Sequence, residues 1–221
     1  MKAGITGLRV AATIALAVAA SACGQGGEKA ATSDAALQAS AIPPEGCLLG
    51  ANAAIGGPID LIDQTGSAVT QDNFHEAPTL IYFGFTFCPD ICPLTLQAEK
   101  AALSKLGQEG QVVQPVLITL DPERDTPEKL AQYVSSNAFP EGLLGLTGTA
   151  AQIAAAAKAF KVSYQKETDP KSAIGYTIAH TSFVYLMDEN WRLAAMYPST
   201  LGPDAQAACL QAGLKRDENP T

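Results

Sequence analysis

Two cysteines four positions apart, Cys88 and Cys92, stand in the stretch GFTFCPDICPLTL, residues 84–96. Each is followed by proline, and an apolar run precedes them. A thiolate attacks disulfides and is a soft ligand that favours Cu(I). A structural disulfide is the plainer use of such a pair in an exported protein. C-x-x-C at a strand–helix junction would indicate a thiol oxidoreductase. Here the spacing is one residue longer, which adds about 100° of helical rotation. If both cysteines were helical they would share one face. Zinc usually takes four ligands, and no second cysteine pair of the right kind supplies them.

The flanking sequence says how the pair is positioned. TLIYFGF (79–85) is a continuous apolar, aromatic run suited to a strand buried on both faces. Residues 93–106 place Leu96, Leu103 and Leu106 at helical spacing, with Pro93 tolerated in the first turn. Cys88 thus falls at the end of a strand and Cys92 opens a helix, whose N-terminus lowers a thiol pKa. Chemistry in open α/β sheets gathers at the carboxyl ends of strands. QPVLITL (114–120) is a second buried strand. Thr126 with Pro127 starts a second helix, and Thr149 with Gln152 forms a capping box for a third. An edge hairpin turns at Gln64-Thr65-Gly66, another joins SFVYLMD to WRLAAMYP through Glu189-Asn190, and PDAQAACLQAGLKR closes with a helix. The order is hairpin, β, α, β, α, α, hairpin, α. It predicts an α/β, thioredoxin-like fold: a central mixed sheet flanked by helices, with an N-terminal β-hairpin.

The 221 residues carry a formal charge of −8 and no basic cluster, so no nucleic-acid partner is expected. Residues 1–22 read as a signal peptide: Lys2 and Arg9 precede an apolar stretch too short to span a membrane, and Ala20-Ser21-Ala22 is a small-x-small cleavage pattern. Cys23 follows directly, as in a lipobox, with Ala20 where Leu is usual. Five cysteines are present, and lipidation of Cys23 would use the odd one. Residues 23–46 read as a lipidated cysteine and flexible tether, residues 47–215 as the domain, and residues 216–221 as a tail. The expected location is the periplasmic side of the membrane, as a lipoprotein; ordinary cleavage would leave a soluble periplasmic protein.

YFGFTFCPDICP, ITLDPERDTPE and IGYTIAHTSFVYLMD follow one another at sensible spacing, and GGPIDLIDQTG precedes them. Together they resemble the SCO/SenC family, the copper-handling thioredoxin-fold proteins of cytochrome c oxidase assembly. The resemblance covers residues 56 to about 210. It implies copper ligation by Cys88, Cys92 and His180, as Cu(I) and also as Cu(II), with a redox-active Cys88–Cys92 disulfide as the oxidised metal-free alternative. His180 lies in the segment leading to SFVYLMD and is expected in a loop. The family often has Asp immediately before this histidine, where this chain has Ala179. The implied partners are cytochrome c oxidase subunit II or a related copper protein, and a copper donor protein. Three activities follow from the resemblance: copper delivery, reduction of the client's copper-site cysteines by Cys88 and Cys92, and a copper-binding redox-defence module.

Other residues have plainer readings. His75 is expected to be an exposed loop residue. Asp121 and Asp125 supply turn and cap chemistry, or a loop near the metal mouth that aids docking. Asp90, between the cysteines, is expected beside the site. Cys47 and Cys209 fall outside the family pattern, and in an oxidising compartment a disulfide joining the two ends of the domain is expected.

Overall fold

The computed structural model describes residues 43–50, 54–168 and 175–217. The leader, Cys23 and most of the tether lie outside the described residues. The described strands are β1 (Leu48–Leu49), β2 (Asp60–Asp63), β3 (Ala68–Thr70), β4 (Thr79–Gly84), β5 (Gln114–Thr119), β6 (Leu144–Thr147), β7 (Tyr164–Thr168), β8 (Tyr176–His180), β9 (Phe183–Met187) and β10 (Leu193–Pro198). The helices are α1 (Ile91–Lys105), α2 (Gln108–Gln111), α3 (Pro127–Val134), α4 (Ala150–Ala159) and α5 (Pro203–Asp217), with a 3-10 turn at Gln71–Phe74. Eight strands form one mixed sheet in the order β1-β10-β9-β4-β5-β6-β2-β3. The β4-β5-β6 block is parallel and the remaining neighbours are antiparallel. β7 and β8 form a separate two-stranded ribbon. The expected thioredoxin-like α/β architecture is present.

β4 is central because every one of its residues is buried. A run apolar on both faces suits a strand covered on both sides. β4 ends at Gly84, where a Cβ would lie 2.9 Å from Tyr82 Cε1 and 3.1 Å from Cys92 Sγ. Glycine there lets α1 bring its second residue against the strand end. The expected caps are in place: Thr126 accepts from the Lys129 N–H and starts α3, and Thr149 with Gln152 closes a reciprocal capping box on α4. The edge hairpin is β2–β3, and β9–β10 is the second hairpin.

Several elements carry too little pattern to read from sequence. β6 is four residues with a glycine inside it, and Gly145 is where Leu130 and Val134 of α3 press onto the sheet. β7 is polar and almost wholly exposed, so it shows no alternation. β1 is two residues long. α5 continues through Asp217, two residues into the expected tail, and residues 218–221 lie outside the described residues.

Cys47, just before β1, is disulfide-bonded to Cys209 in α5 across 162 positions, with Cα atoms 5.7 Å apart. Both are buried. α1 also carries a buried acid: Glu99 is shut off from solvent, neither carboxyl oxygen has a protein partner, and burial pushes its pKa up to about 8. Replacing both Cys47 and Cys209 with Ser lowers unfolding stability by up to about 5 kcal/mol in denaturant titration, since the closed loop is long. Glu99 binds its proton more tightly folded than unfolded, so its contribution to stability falls as pH rises from about 4.5 to about 8. Glu99→Gln therefore flattens the pH dependence of the melting temperature over that window and melts higher than the parent at its alkaline end.

Candidate metal centre

The site begins where β4 gives way to α1. The Cys88 N–H donates to the Phe85 carbonyl at 3.2 Å, closing a turn that faces the Cys88 sulfur toward the helix start. The Cys92 N–H donates to Cys88 Sγ at 3.3 Å. Asp90 occupies the cap position of α1 but makes no side-chain capping bond. Cys88 Sγ takes the place that a capping oxygen would hold. The Cys92 thiol donates to Cys88, and the amides of Cys92, Asp90 and Ile91 add to this against the opposing cost of burial. The result pulls the Cys88 pKa down to about 6. Cys92 is held well above the usual thiol range, by that same bond to Cys88 and by burial. Both are present as thiols without a disulfide, and both are buried. At neutral pH the pair is one thiolate with one proton held beside it.

A line of hydroxyls runs inward from the pair. Tyr82 donates to Cys92 Sγ at 3.7 Å. The same hydroxyl lies 3.0 Å from Ser182 Oγ, which accepts from Ser199 at 2.8 Å. The β4–β9 register sets Tyr82 opposite Val184, which brings Ser182 to this position. Donation from Ser199 to Ser182, Tyr82, Cys92 and finally Cys88 satisfies every link and ends on the thiolate.

His180 is the last residue of β8, which corrects the expected loop placement. Its Nδ1 lies 3.0 Å from the Thr181 carbonyl, an arrangement in which Nδ1 carries the proton and Nε2 is left with its lone pair free of one. Burial lowers its pKa, with the Thr181 bond opposing, so the imidazole is neutral at pH 7. Its ring sits edge-on to Tyr82 at 6.3 Å and to Phe85 at 6.1 Å. His180 and Cys92 therefore flank the same tyrosine. As placed, no group of three or more His, Cys, Asp or Glu side chains among the described residues stands close enough to hold a metal. The structure brings Cys88 and Cys92 into contact, and sets His180 against the Tyr82 and Phe85 rings. The chemistry of the set nevertheless suits a soft monovalent metal: two thiols, one already acidified, and a neutral imidazole.

Ala179 is exposed on β8 opposite Gln165 and offers the imidazole no carboxylate. His75 is exposed as expected; it contacts the Glu189 carbonyl and Asp72, away from the thiols. Asp121 and Asp125 do more than turn chemistry. Asp125 is fully buried and accepts from the Thr86 N–H at 3.0 Å, the Thr86 hydroxyl at 2.5 Å and the Thr119 hydroxyl at 2.6 Å. It fixes the approach to Cys88. Asp121, also buried, pairs with Arg124 and accepts from the Tyr176 hydroxyl at 2.7 Å. Phe87, Ile91 and Leu94 are exposed around the thiols. Sequence reading singled out neither the hydroxyls of Tyr82, Ser182 and Thr86 nor Arg124 and Tyr176; their only signal was membership of the three motifs.

A family model described as SCO1/SenC matches residues 49–215. The chain belongs to the SCO1/SenC family. Among its curated relatives, an SCO2-like protein of Rickettsia prowazekii is 43% identical over 138 residues, which are 62% of this chain and 66% of that one. Protein SenC of Rhodobacter capsulatus is 36% identical over 172 residues, 77% of this chain and 75% of that one. Among solved structures, Bradyrhizobium japonicum ScoI with copper bound is 39% identical, with a TM-score of 0.63 over 72% of this chain and 98% of that one. Yeast Sco1 with copper bound is 31% identical, with a TM-score of 0.66 over 76% and 91%. The match to the Rickettsia protein thus stops just short of two thirds of its length, and the SCO1/SenC region accounts for most of the present chain. Among the described residues, no helix is long and apolar enough to cross a membrane.

The thiol asymmetry gives a pH signature. Alkylation of Cys88 by iodoacetamide rises with a midpoint near pH 6, while Cys92 stays unmodified in the same range. Cys92→Ala removes the largest acidifying contribution, so the Cys88 midpoint moves up toward the free-thiol value of about 8.5. An unmoved midpoint would assign the acidity to the helix amides alone.

Proposed function

We propose that this protein is a membrane-anchored, periplasmic copper metallochaperone that delivers copper to the copper A centre of cytochrome c oxidase subunit II or a related copper protein. The observation that carries the reading is the thiol pair of Cys88 and Cys92 at the start of α1, in a family whose relatives at 39% and 31% identity were solved with copper bound. Copper is the cargo here. Cys88 offers a thiolate already formed near neutral pH, Cys92 releases its proton when metal arrives, and His180 offers Nε2. Three ligands leave Cu(I) open to attack by thiolates of a docked client, so the metal passes by ligand exchange. Phe87, Ile91 and Leu94 give the mouth of the site an exposed apolar rim for that encounter. Cys23 supplies the anchor through lipidation, and a separate copper donor protein loads the site.

A second reading is favoured by the same acidic thiol. A thiolate beside a buried partner thiol suits reduction of a client disulfide. Cys88 attacks one client sulfur, forming a mixed disulfide and releasing a client thiol. Cys92, losing its proton, then attacks Cys88, which closes the Cys88–Cys92 disulfide and releases the second client thiol. This route needs no histidine.

Gene deletion complemented with Cys88→Ser, Cys92→Ser and His180→Ala separates the two. Copper delivery predicts that all three variants lose oxidase activity and that added copper restores part of it to the deletion strain. Full activity of His180→Ala beside two inactive cysteine variants would overturn delivery in favour of reduction. An intact mass showing Cys23 unmodified in the membrane fraction would remove the lipid anchor.

A further inference from the structure

We propose that Arg124 is a positioning residue for the metal site: it clamps the loop carrying Cys88 to the ribbon carrying His180, and so sets where the imidazole stands relative to the thiols. The inference rests on the copper-binding reading above. The Arg124 guanidinium lies between two rings, 4.6 Å from the centre of Phe87 and 3.7 Å from the centre of Tyr176. Phe87 immediately precedes Cys88 in the chain. Tyr176 opens β8, the strand that ends at His180. One side chain therefore touches both halves of the site.

The clamp is built to hold. Asp121, itself buried, pairs with Arg124 Nε and accepts from the Tyr176 hydroxyl at 2.7 Å. Arg124 Nη1 donates to the Tyr176 carbonyl at 3.1 Å. Tyr176 is gripped at its backbone, its ring and its hydroxyl by a single loop. The grip matters because β7 and β8 stand apart from the main sheet. At its root the ribbon is joined by the Thr181 N–H to the Ser163 carbonyl, a bond within the ribbon's own two arms. Its placement on the body thus depends on side-chain contacts such as these. A planar guanidinium can stack on two rings while donating at its edges, whereas a lysine ammonium cannot do both. Residue 179 is Ala and offers no carboxylate; the Thr181 carbonyl fixes the ring on its own strand end, and the ribbon's docking sets where that strand end stands relative to the thiols.

The test uses the full chain and two independent readouts. In the metal-free protein, amide hydrogen exchange across β8 is measured for the parent, Arg124→Leu, Arg124→Lys and Tyr176→Leu, with thermal melts to confirm folding. Cu(I) affinity is measured by competition with bathocuproine disulfonate for the same set, for His180→Ala, and for Arg124→Leu combined with His180→Ala. Arg124→Leu and Tyr176→Leu each speed exchange in β8 and leave β4 protected; Arg124→Lys falls between. Arg124→Leu weakens Cu(I) binding about tenfold, as loss of a ligand's support does. The double variant loses no more than His180→Ala alone, because Arg124 acts through that ligand. The Cys88 alkylation midpoint stays where it was. Unchanged β8 exchange in both Arg124→Leu and Tyr176→Leu, or a full additional tenfold loss in the double variant, overturns the proposal. Failure of the parent to bind Cu(I) would instead overturn the copper reading, and the exchange arm would still decide the clamp.

Discussion

The structure depends on one buried acid, Asp125, and the three hydrogen bonds that satisfy it. A carboxyl group out of reach of water is costly unless it is hydrogen-bonded. Thr86 meets it with both backbone and side chain, and Thr119 with its hydroxyl. Those bonds tie the segment after β4 to the end of β5. The turn from Phe85 to Cys88 inherits its position from that tie, and α1 inherits its first turn from Cys88. Removing the acid would strand three donors together, which costs more than the net worth of any one bond.

From this anchor the site divides into two parts with different mechanical character. The thiols belong to the rigid body, between a fully buried strand and the first turn of a helix that packs on α5. His180 belongs to a polar ribbon held by side chains. The proposed copper delivery requires binding a cargo and letting it go, and side chains split between a sheet-anchored part and a docked part suit both. On the copper reading proposed above, Cys88 and Cys92 would hold the metal from the first part and His180 would add its imidazole from the second. The alternative reading of thiol exchange would draw on the first part alone, since Cys88 and Cys92 lie close enough to share a proton.

Much of this was legible along the chain because its signals are local. The buried strand TLIYFGF, the leucines of α1, and the caps at Thr126 and Thr149 each act within a few residues, and each formed as expected. The pairing of Cys47 with Cys209 was also expected, from the oxidising compartment and their places at the two ends of the domain, and is present. β6 and the β7–β8 ribbon were missed for opposite reasons. β6 is short and interrupted by a glycine that α3 requires, and β7 exposes nearly all its side chains and so leaves no periodic trace. His180 was picked out by resemblance but placed in a loop, because the strand that carries it pairs only through its backbone with that polar neighbour.

By itself the sequence determined the identities of the chemical groups and the local frame of the thiols. Two cysteines four apart at a strand–helix junction place a sulfur at a helix N-terminus wherever that junction forms, since the spacing and the dipole are local properties. Tertiary structure alone decided which thiol is acidic, because that follows from the proton Cys92 shares and from the unequal burial of the two. It also decided that Asp121 and Asp125 fasten the site together, and that Arg124 and Tyr176 join parts of the chain 52 positions apart. No pattern within a short window encodes such a contact. It exists only once the fold has set the β7–β8 ribbon against the loops that follow β4 and β5.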